Sequence, residues 1–461
     1  MLAQNEKRPT SFFSSLLTIL GGQAVCGGLG IVIEIFYARV LGADGRGEIG
    51  LCLMAIAAFA LLGGLGVETP ALVWAADQKR RPADWITGVW LSGAIGSTIA
   101  AGLWAETYWR WHAAFLRGIT NSMAWLILAS IPCLIFLGYL IAIIAGQERF
   151  GLRAGVTLAE QMSGLLVLGG LVLLFGRHAE LAIAANLLSI ILSIGICMFA
   201  LRDLFKVRAP RVATALQMRA ALGFGLPGIM GNLASFLNYR LDVFIVNYFL
   251  NPAAVGIYAL GVVVSEALWQ IPRAAALALF SRTARTSGDD ADFTCLVLRH
   301  VILIAGVTGA AIAIASPLLV PLVFGVQFAP SVAVIWWILP GTVCLSVAKI
   351  MCADLAGRKK PQYASIFAFC SLLLTIGLDF TLIPKEGING AAIASSAAYI
   401  FNSVLLAFVL RKELKASWKS MFVPTYADWV FYWQIWSRYR SRLFGPKVVS
   451  TPNELKQNEI S

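Results

Sequence analysis

Residues 121–145 read NSMAWLILASIPCLIFLGYLIAIIA, twenty-five positions without one charged side chain. A helix rises 1.5 Å per residue, so about 20 such residues cross the roughly 30 Å hydrocarbon core of a bilayer. Eleven further blocks of comparable length flank this one. They fall near 12–38, 48–72, 85–104, 152–175 and 179–201, then 220–249, 254–280, 297–324, 329–355, 362–383 and 389–411. Gly-rich or Pro-containing turns such as Gly42-Ala43-Asp44-Gly45 and Leu250-Asn251-Pro252 separate them. Composition agrees: 59% of the 461 residues are apolar, 13% are charged, and the mean hydropathy is +0.78. Soluble domains carry about 25% charged residues. The chain is therefore an all-α polytopic membrane protein of about twelve transmembrane helices.

Basic residues orient it. With the N-terminus inside, the cytoplasmic loops and the root of the tail take 22 Lys and Arg, among them 79–81, 206–211 and 358–360. The opposite loops take six, including Arg39 and Arg46. That asymmetry predicts an even number of spans with both termini cytoplasmic. The first span is too long for a cleavable signal and lacks a small-residue cleavage pattern. A net charge of +12 suits short cytoplasmic loops facing anionic headgroups, and nucleic acid is not implied. Seven of eight cysteines lie in apolar blocks without a CxxC, and His112, His178 and His300 are scattered, so neither metal nor disulfide is expected.

The halves look like copies. Leu41-Gly-Ala-Asp-Gly-Arg-Gly47-Glu-Ile-Gly-Leu51 aligns with Leu250-Asn-Pro-Ala-Ala-Val-Gly256-Ile-Tyr-Ala-Leu260 at a shift of 209, and Ala145-Gly146 falls on Ala356-Gly357 at a shift of 211. Six spans per half makes the repeats parallel, related by a pseudo-two-fold along the membrane normal. The expected organisation is a six-helix lobe over 1–206, a second over 207–412, a central cavity between them, and a tail over 413–461.

The same residues carry a family resemblance. Ala38-Arg-Val-Leu-Gly-Ala-Asp-Gly-Arg-Gly-Glu48 resembles the first periplasmic turn of bacterial polysaccharide flippases. Leu226-Pro227, Asn238-Tyr-Arg-Leu-Asp242 and Asn251-Pro-Ala-Ala-Val-Gly-Ile-Tyr-Ala259 are similar to their seventh and eighth helices. Phe324-Gly-Val-Gln-Phe-Ala-Pro330, Gly357-Arg-Lys-Lys-Pro361 and Leu382-Ile-Pro-Lys-Glu-Gly-Ile-Asn-Gly-Ala-Ala392 resemble turns of the C-terminal half. The ordered set covers roughly 10–412, and the family it resembles is part of the multidrug/oligosaccharidyl-lipid/polysaccharide exporter superfamily. The resemblance implies a flippase in the bacterial inner membrane that moves an undecaprenyl-diphosphate-linked oligosaccharide to the outer leaflet. It implies O-antigen or exopolysaccharide biosynthesis, with membrane lipids, a polysaccharide polymerase and glycosyltransferases as partners. Lipid II flippases usually add two further helices, absent after 411.

Ionisable groups at membrane depth cost about 2.5–3.5 kcal/mol each on insertion scales, so they face a cavity or a partner. Arg240 and Asp242 lie 9 and 7 residues below the outer turn, roughly 10–14 Å in. Glu266, Gln270 and Arg273 follow at i, i+4 and i+7 on one helical face. They either line a central path or lock the lobes together as internal salt bridges. Substrate contacts are expected from Arg240, Arg273, Gln270, Lys349 and Arg39, the last reading first as a snorkelling anchor. Ion coupling is expected from Asp242, Glu266 and Glu34, since the repeat places Glu34 within a residue of Asp242. Glu68, Glu160 with Gln161, and Asp379 are weaker candidates.

There is no nucleophile with a neighbouring base, no phosphate-cradling Gly loop with Lys-Ser/Thr, and no HExxH, so no enzyme and no cofactor are expected. Transport would draw on an ion gradient by alternating access. A cation-coupled multidrug antiporter of the same superfamily is the nearest alternative. A membrane glycosyltransferase or polysaccharide-assembly component is another, although the longest loop, about 105–120, holds only Glu106 as a carboxylate. The tail mixes Trp418, Phe422, Trp429, Trp433 and Trp436 with Lys419, Arg438 and Arg440, which reads as an interfacial cytoplasmic segment.

Overall fold

A computed structural model describes residues 12–77, 79–205, 214–285 and 291–424. Every regular element among them is helical. The first half comprises α1 (Phe12–Gly63), α2 (Glu68–Ala76), α3 (Ile86–Trp111), α4 (Asn121–Gly146), α5 (Phe150–Phe175), α6 (Ala179–Ala200) and the short α7 (Arg202–Phe205). The second comprises α8 (Thr214–Phe249), α9 (Pro252–Glu266), α10 (Gln270–Arg285), α11 (Ala291–Phe324), α12 (Ser331–Gly357), α13 (Gln362–Glu386), α14 (Ile388–Leu414) and α15 (Trp418–Phe422).

Among the described residues, ten helices are long and apolar enough to span a membrane, or eleven with the pair Ala215–Leu226 and Gly228–Phe249, bent by 46°. Pro227 lies at that break, and a proline has no backbone N–H to give to the helix ladder. The twelfth span is folded into α1. Its 52 residues would run about 78 Å if straight, more than twice a bilayer core. Gly42 breaks it with φ 72° and ψ −171°, a conformation open to glycine alone. Arg46 then reaches Glu34 at 2.7 Å, although twelve residues of continuous helix would separate them by about 18 Å. The chain therefore doubles back at Gly42. The expected second span also ends earlier than 72, at Gly63, and resumes as α2 after a turn.

α4 packs on α1, α2, α3 and α6, while α12 packs on α9, α10, α11 and α14. Between the halves, α1 meets α9, and α3 meets α8. The repeat is visible in its contacts. A Cβ on Gly146 would meet Leu72, and one on Gly357 would meet Thr283; both pairs are 211 apart, the same positions one repeat later. All eight cysteines are unpaired thiols. The expected boundary at 206/207 falls outside the described residues, as do most of the tail, 425–461, and Lys7 with Arg8. The tail root does fold back: Ser417 caps α15, Arg299 Nη1 donates to the Ser420 carbonyl at 2.5 Å, and Trp418 meets Phe408 edge-on.

Candidate substrate site between the lobes

In the orientation that the basic residues predict, the outer ends of the lobes are zipped together. Arg39 donates through Nε to the Val323 carbonyl at 2.9 Å and through Nη2 to that of Leu322. Both are orphan carbonyls at the end of α11, groups that need a partner. Gln327 donates to the Ala38 carbonyl at 3.4 Å, and Asn247 to those of Phe115 and Arg117 at 3.0 and 3.1 Å. Phe115 stacks on Tyr248 at 4.6 Å. Arg39, expected at the substrate, is here a clasp across the seam.

Deeper lies the charged cluster. Arg240 on α8 pairs with Glu266 at the end of α9, Nη2 to Oε2 at 2.7 Å, both side chains mostly buried. The ammonium of Lys349 on α12 stands 3.8 Å from the Trp269 ring centroid and 5.5 Å from that of Tyr239. A cation over aromatic faces is stabilised without a carboxylate, so its charge stays available. Arg273 on α10 is exposed and lies within electrostatic reach of Lys349, as does Glu266. The amide of Gln270 points towards Gly27 of α1, where a Cβ would stand 3.8 Å away. One 3-10 turn, Ala267–Trp269, interrupts the helix between Glu266 and Gln270, so the face expected from i, i+4, i+7 is not one continuous α-helical stripe. The cluster nevertheless sets Arg273 and Lys349 beside the Arg240–Glu266 pair.

Asp242 departs from expectation. It does not line the path between the lobes: 1% exposed, it accepts from Tyr258 Oη and, at 3.1 Å, from Ser395 Oγ, inside the second lobe. Asp379 on α13 is 0% exposed, and neither carboxylate oxygen has a hydrogen-bond partner. Thr375, one turn before it, donates to Asn238 at 3.2 Å, one turn before Asp242. That registry sets the two carboxylates side by side. Glu34, expected to match Asp242, is held instead by Arg46. Arg46, expected in an outer turn, is 4% exposed. Glu34, Tyr37 and Arg46 share with Arg240 and Val263 a cavity of about 80 Å³ between the lobes. Glu68 stays exposed and Glu160 half-buried. Among the described residues no group of three or more His, Cys, Asp or Glu could hold a metal ion.

Two helical lobes joined at an outer seam over a buried, charged interface define a multi-pass membrane protein of transporter architecture. Residues 13–280 match the family described as polysaccharide biosynthesis protein, and the chain belongs to that family. No curated protein matches the sequence. Among solved structures, the lipid II flippase MurJ in an inward closed conformation superposes with a TM-score of 0.72 at 14% identity, covering 92% of this chain and 99% of that one. An inward-facing multidrug resistance MATE family transporter of the MOP superfamily gives 0.69 at 14% identity, covering 87% and 98%. An outward-facing MATE transporter of that superfamily gives 0.59 at 13% identity, covering 87% and 96%. These neighbours share a fold of twelve helices in two lobes.

Proposed function

We propose that this protein is a flippase of the bacterial inner membrane that carries an undecaprenyl-diphosphate-linked oligosaccharide to the outer leaflet for O-antigen or exopolysaccharide synthesis. The observation that carries the reading is the surplus of positive charge at the lobe interface, where Arg273 and Lys349 stand beside the Arg240–Glu266 ion pair. A diphosphate needs compensating cations at low dielectric, whereas a cationic drug would be repelled by this surface. The family match to polysaccharide biosynthesis supports the substrate class. Lipid-linked oligosaccharide flipping by the purified protein in proteoliposomes tests it. Protection of the glycan from an external probe that is unchanged by the protein would rule the flippase out, and drug efflux in the same vesicles would favour the antiporter.

Coupling to an ion belongs, on this reading, to Asp242 with Asp379 rather than to Glu34 or Glu266. The last two are each engaged by a guanidinium. The Asp379 carboxylate has no such partner.

A further inference from the structure

The outer seam has two edges, and the repeat makes each the copy of the other. Asn247 and Tyr248 stand 209 residues after Ala38 and Arg39. The edge where α8 meets the turn after α3 therefore corresponds to the edge where α1 meets the turn after α11. Both are clasped by a side-chain amide on a backbone carbonyl, Gln327 to Ala38 at 3.4 Å and Asn247 to Phe115 at 3.0 Å. Their chemistry has diverged. The first edge carries the Arg39 guanidinium and a cavity of about 460 Å³ whose walls are apolar apart from Glu34, Thr308 and Ser316. The second carries aromatic rings. Phe115 of the first lobe stacks on Tyr248 of the second, with centroids 4.6 Å apart and planes 21° apart. Trp111, 51% exposed, stands edge-on to Phe115 at 5.9 Å. Asn247, next to Tyr248, is 0% exposed; its Nδ2 serves two carbonyls, while its Oδ1 is buried with no hydrogen-bond partner.

We propose that this aromatic edge is a subsite for the sugars of the lipid-linked substrate, with Phe115 and Tyr248 as stacking faces and Asn247 Oδ1 as the acceptor for a sugar hydroxyl. The proposal rests on the flippase reading above and concerns the glycan alone. A stack that crosses the seam separates when the lobes part, and one ring on each lobe is then bared at the outer mouth. An aromatic face carries partial negative charge, and one face of a pyranose presents C–H groups of the opposite polarity. The hydroxyls at the rim of the sugar need polar partners, and an amide oxygen buried without one costs free energy until one arrives. Anchoring at headgroup depth accounts for Trp111, but not for a ring pair shared between two lobes. Seam packing accounts for the pair, but not for the unpartnered oxygen beside it.

Two ligands separate the sugars from the rest of the molecule. One is the undecaprenyl-diphosphate-linked oligosaccharide extracted from the cells that make this protein, and the other is undecaprenyl diphosphate without sugar. Each is titrated into the purified full-length protein in detergent, with tryptophan fluorescence as the readout and elution volume as the check on folding. The parent should bind the glycan-bearing lipid more tightly than the bare one. Phe115→Leu and Tyr248→Leu should each weaken the glycan-bearing lipid roughly three- to tenfold, the scale of one aromatic contact, and leave the bare lipid unchanged. Tyr248→Phe keeps the ring and should keep the preference. Rings that only close the seam would shift both lipids together. Equal affinity of the parent for the two lipids, or an undiminished preference in folded Phe115→Leu, would overturn the subsite. If the preference falls as expected while proteoliposomes of the parent flip no lipid-linked glycan, the subsite stands and the flippase reading falls. If the parent flips and Phe115→Leu keeps the parental preference, the flippase stands and the subsite falls.

Discussion

Gly47 and Gly256 pack backbone to backbone: a Cβ on either would stand 3.0 Å from the amide nitrogen of the other. The same two additions would collide with the carbonyls of Pro252 and Ala43 respectively. Residues 43 and 252, like 47 and 256, are 209 apart, so the contact is the same read from either side. A self-complementary contact of that kind marks a two-fold axis. The pseudo-symmetry axis of the two lobes therefore runs through this glycine seam.

Gly47→Ala should wedge the seam open. Overpacking a close backbone contact costs about 1–3 kcal/mol, which favours whichever state has the outer ends apart. A thermal melt should show the loss, and cysteines placed beside the seam should gain access to an outer label. Gly256→Ala should do the same, and the double variant should fall short of the summed effects because both act on one contact. Strict additivity would place the glycines in separate environments and remove the axis from this position.

Much of this was legible in advance, because apolar length, turn residues and the repeat are local or periodic signals. The doubling-back at Gly42 was read as two blocks and a turn, which is what it is. Counting basic residues in a turn cannot show that the turn folds Arg46 onto Glu34, twelve positions earlier. The burial of Asp242 inside the second lobe escapes the sequence for a different reason. Its partner Ser395 lies 153 residues away, and no spacing rule reaches that far. The Glu266 face was drawn on continuous helix, and a 3-10 turn was enough to spoil the arithmetic.

The outer clasp uses side-chain donors on backbone carbonyls at Arg39, Gln327 and Asn247. Among these only Arg39 is charged, and it pairs with no carboxylate there. Arg39→Gln should lengthen the distance between spin labels flanking 39 and 323 in a substantial fraction of molecules, with little effect on melting temperature. The shift should persist across neutral and mildly acidic pH, since carbonyls do not titrate. An unaltered distance distribution would make Arg39 a surface anchor and nothing more.

Asp379→Asn removes a fully buried carboxylate that has no hydrogen-bond partner. Isolated buried charge is destabilising, so the variant should melt at or above the temperature of the parent. Export in cells should nonetheless lose its dependence on sodium or on the proton gradient, whichever the parent shows. Asp242→Asn should share the second effect. Its hydrogen bonds from Tyr258 and Ser395 can persist to the amide oxygen, so it need not share the first. Full ion dependence in Asp379→Asn would move coupling elsewhere.

Arg240, Arg273 and Lys349 should divide their work by geometry. Arg240→Ala removes a guanidinium and strands Glu266, whose second oxygen is already unpartnered. Breaking a buried pair from one side costs about 3–5 kcal/mol, so export should be lost and stability should drop with it. Arg240→Ala with Glu266→Gln should recover the stability without recovering export, which separates the two roles. Arg273 is exposed and needs no rescue: Arg273→Ala should export poorly at normal abundance, and Arg273→Lys should regain activity if point charge suffices but fail if a two-pronged grip on phosphate is required. Lys349→Met keeps the contact with Trp269 and Tyr239 while deleting the ammonium, so its defect should lie in export alone. Surface polysaccharide on gels, normalised to membrane-inserted protein, reads all of these. Normal polysaccharide from both Arg273→Ala and Lys349→Met would mean that the cations at the lobe interface hold the protein together rather than carry its substrate.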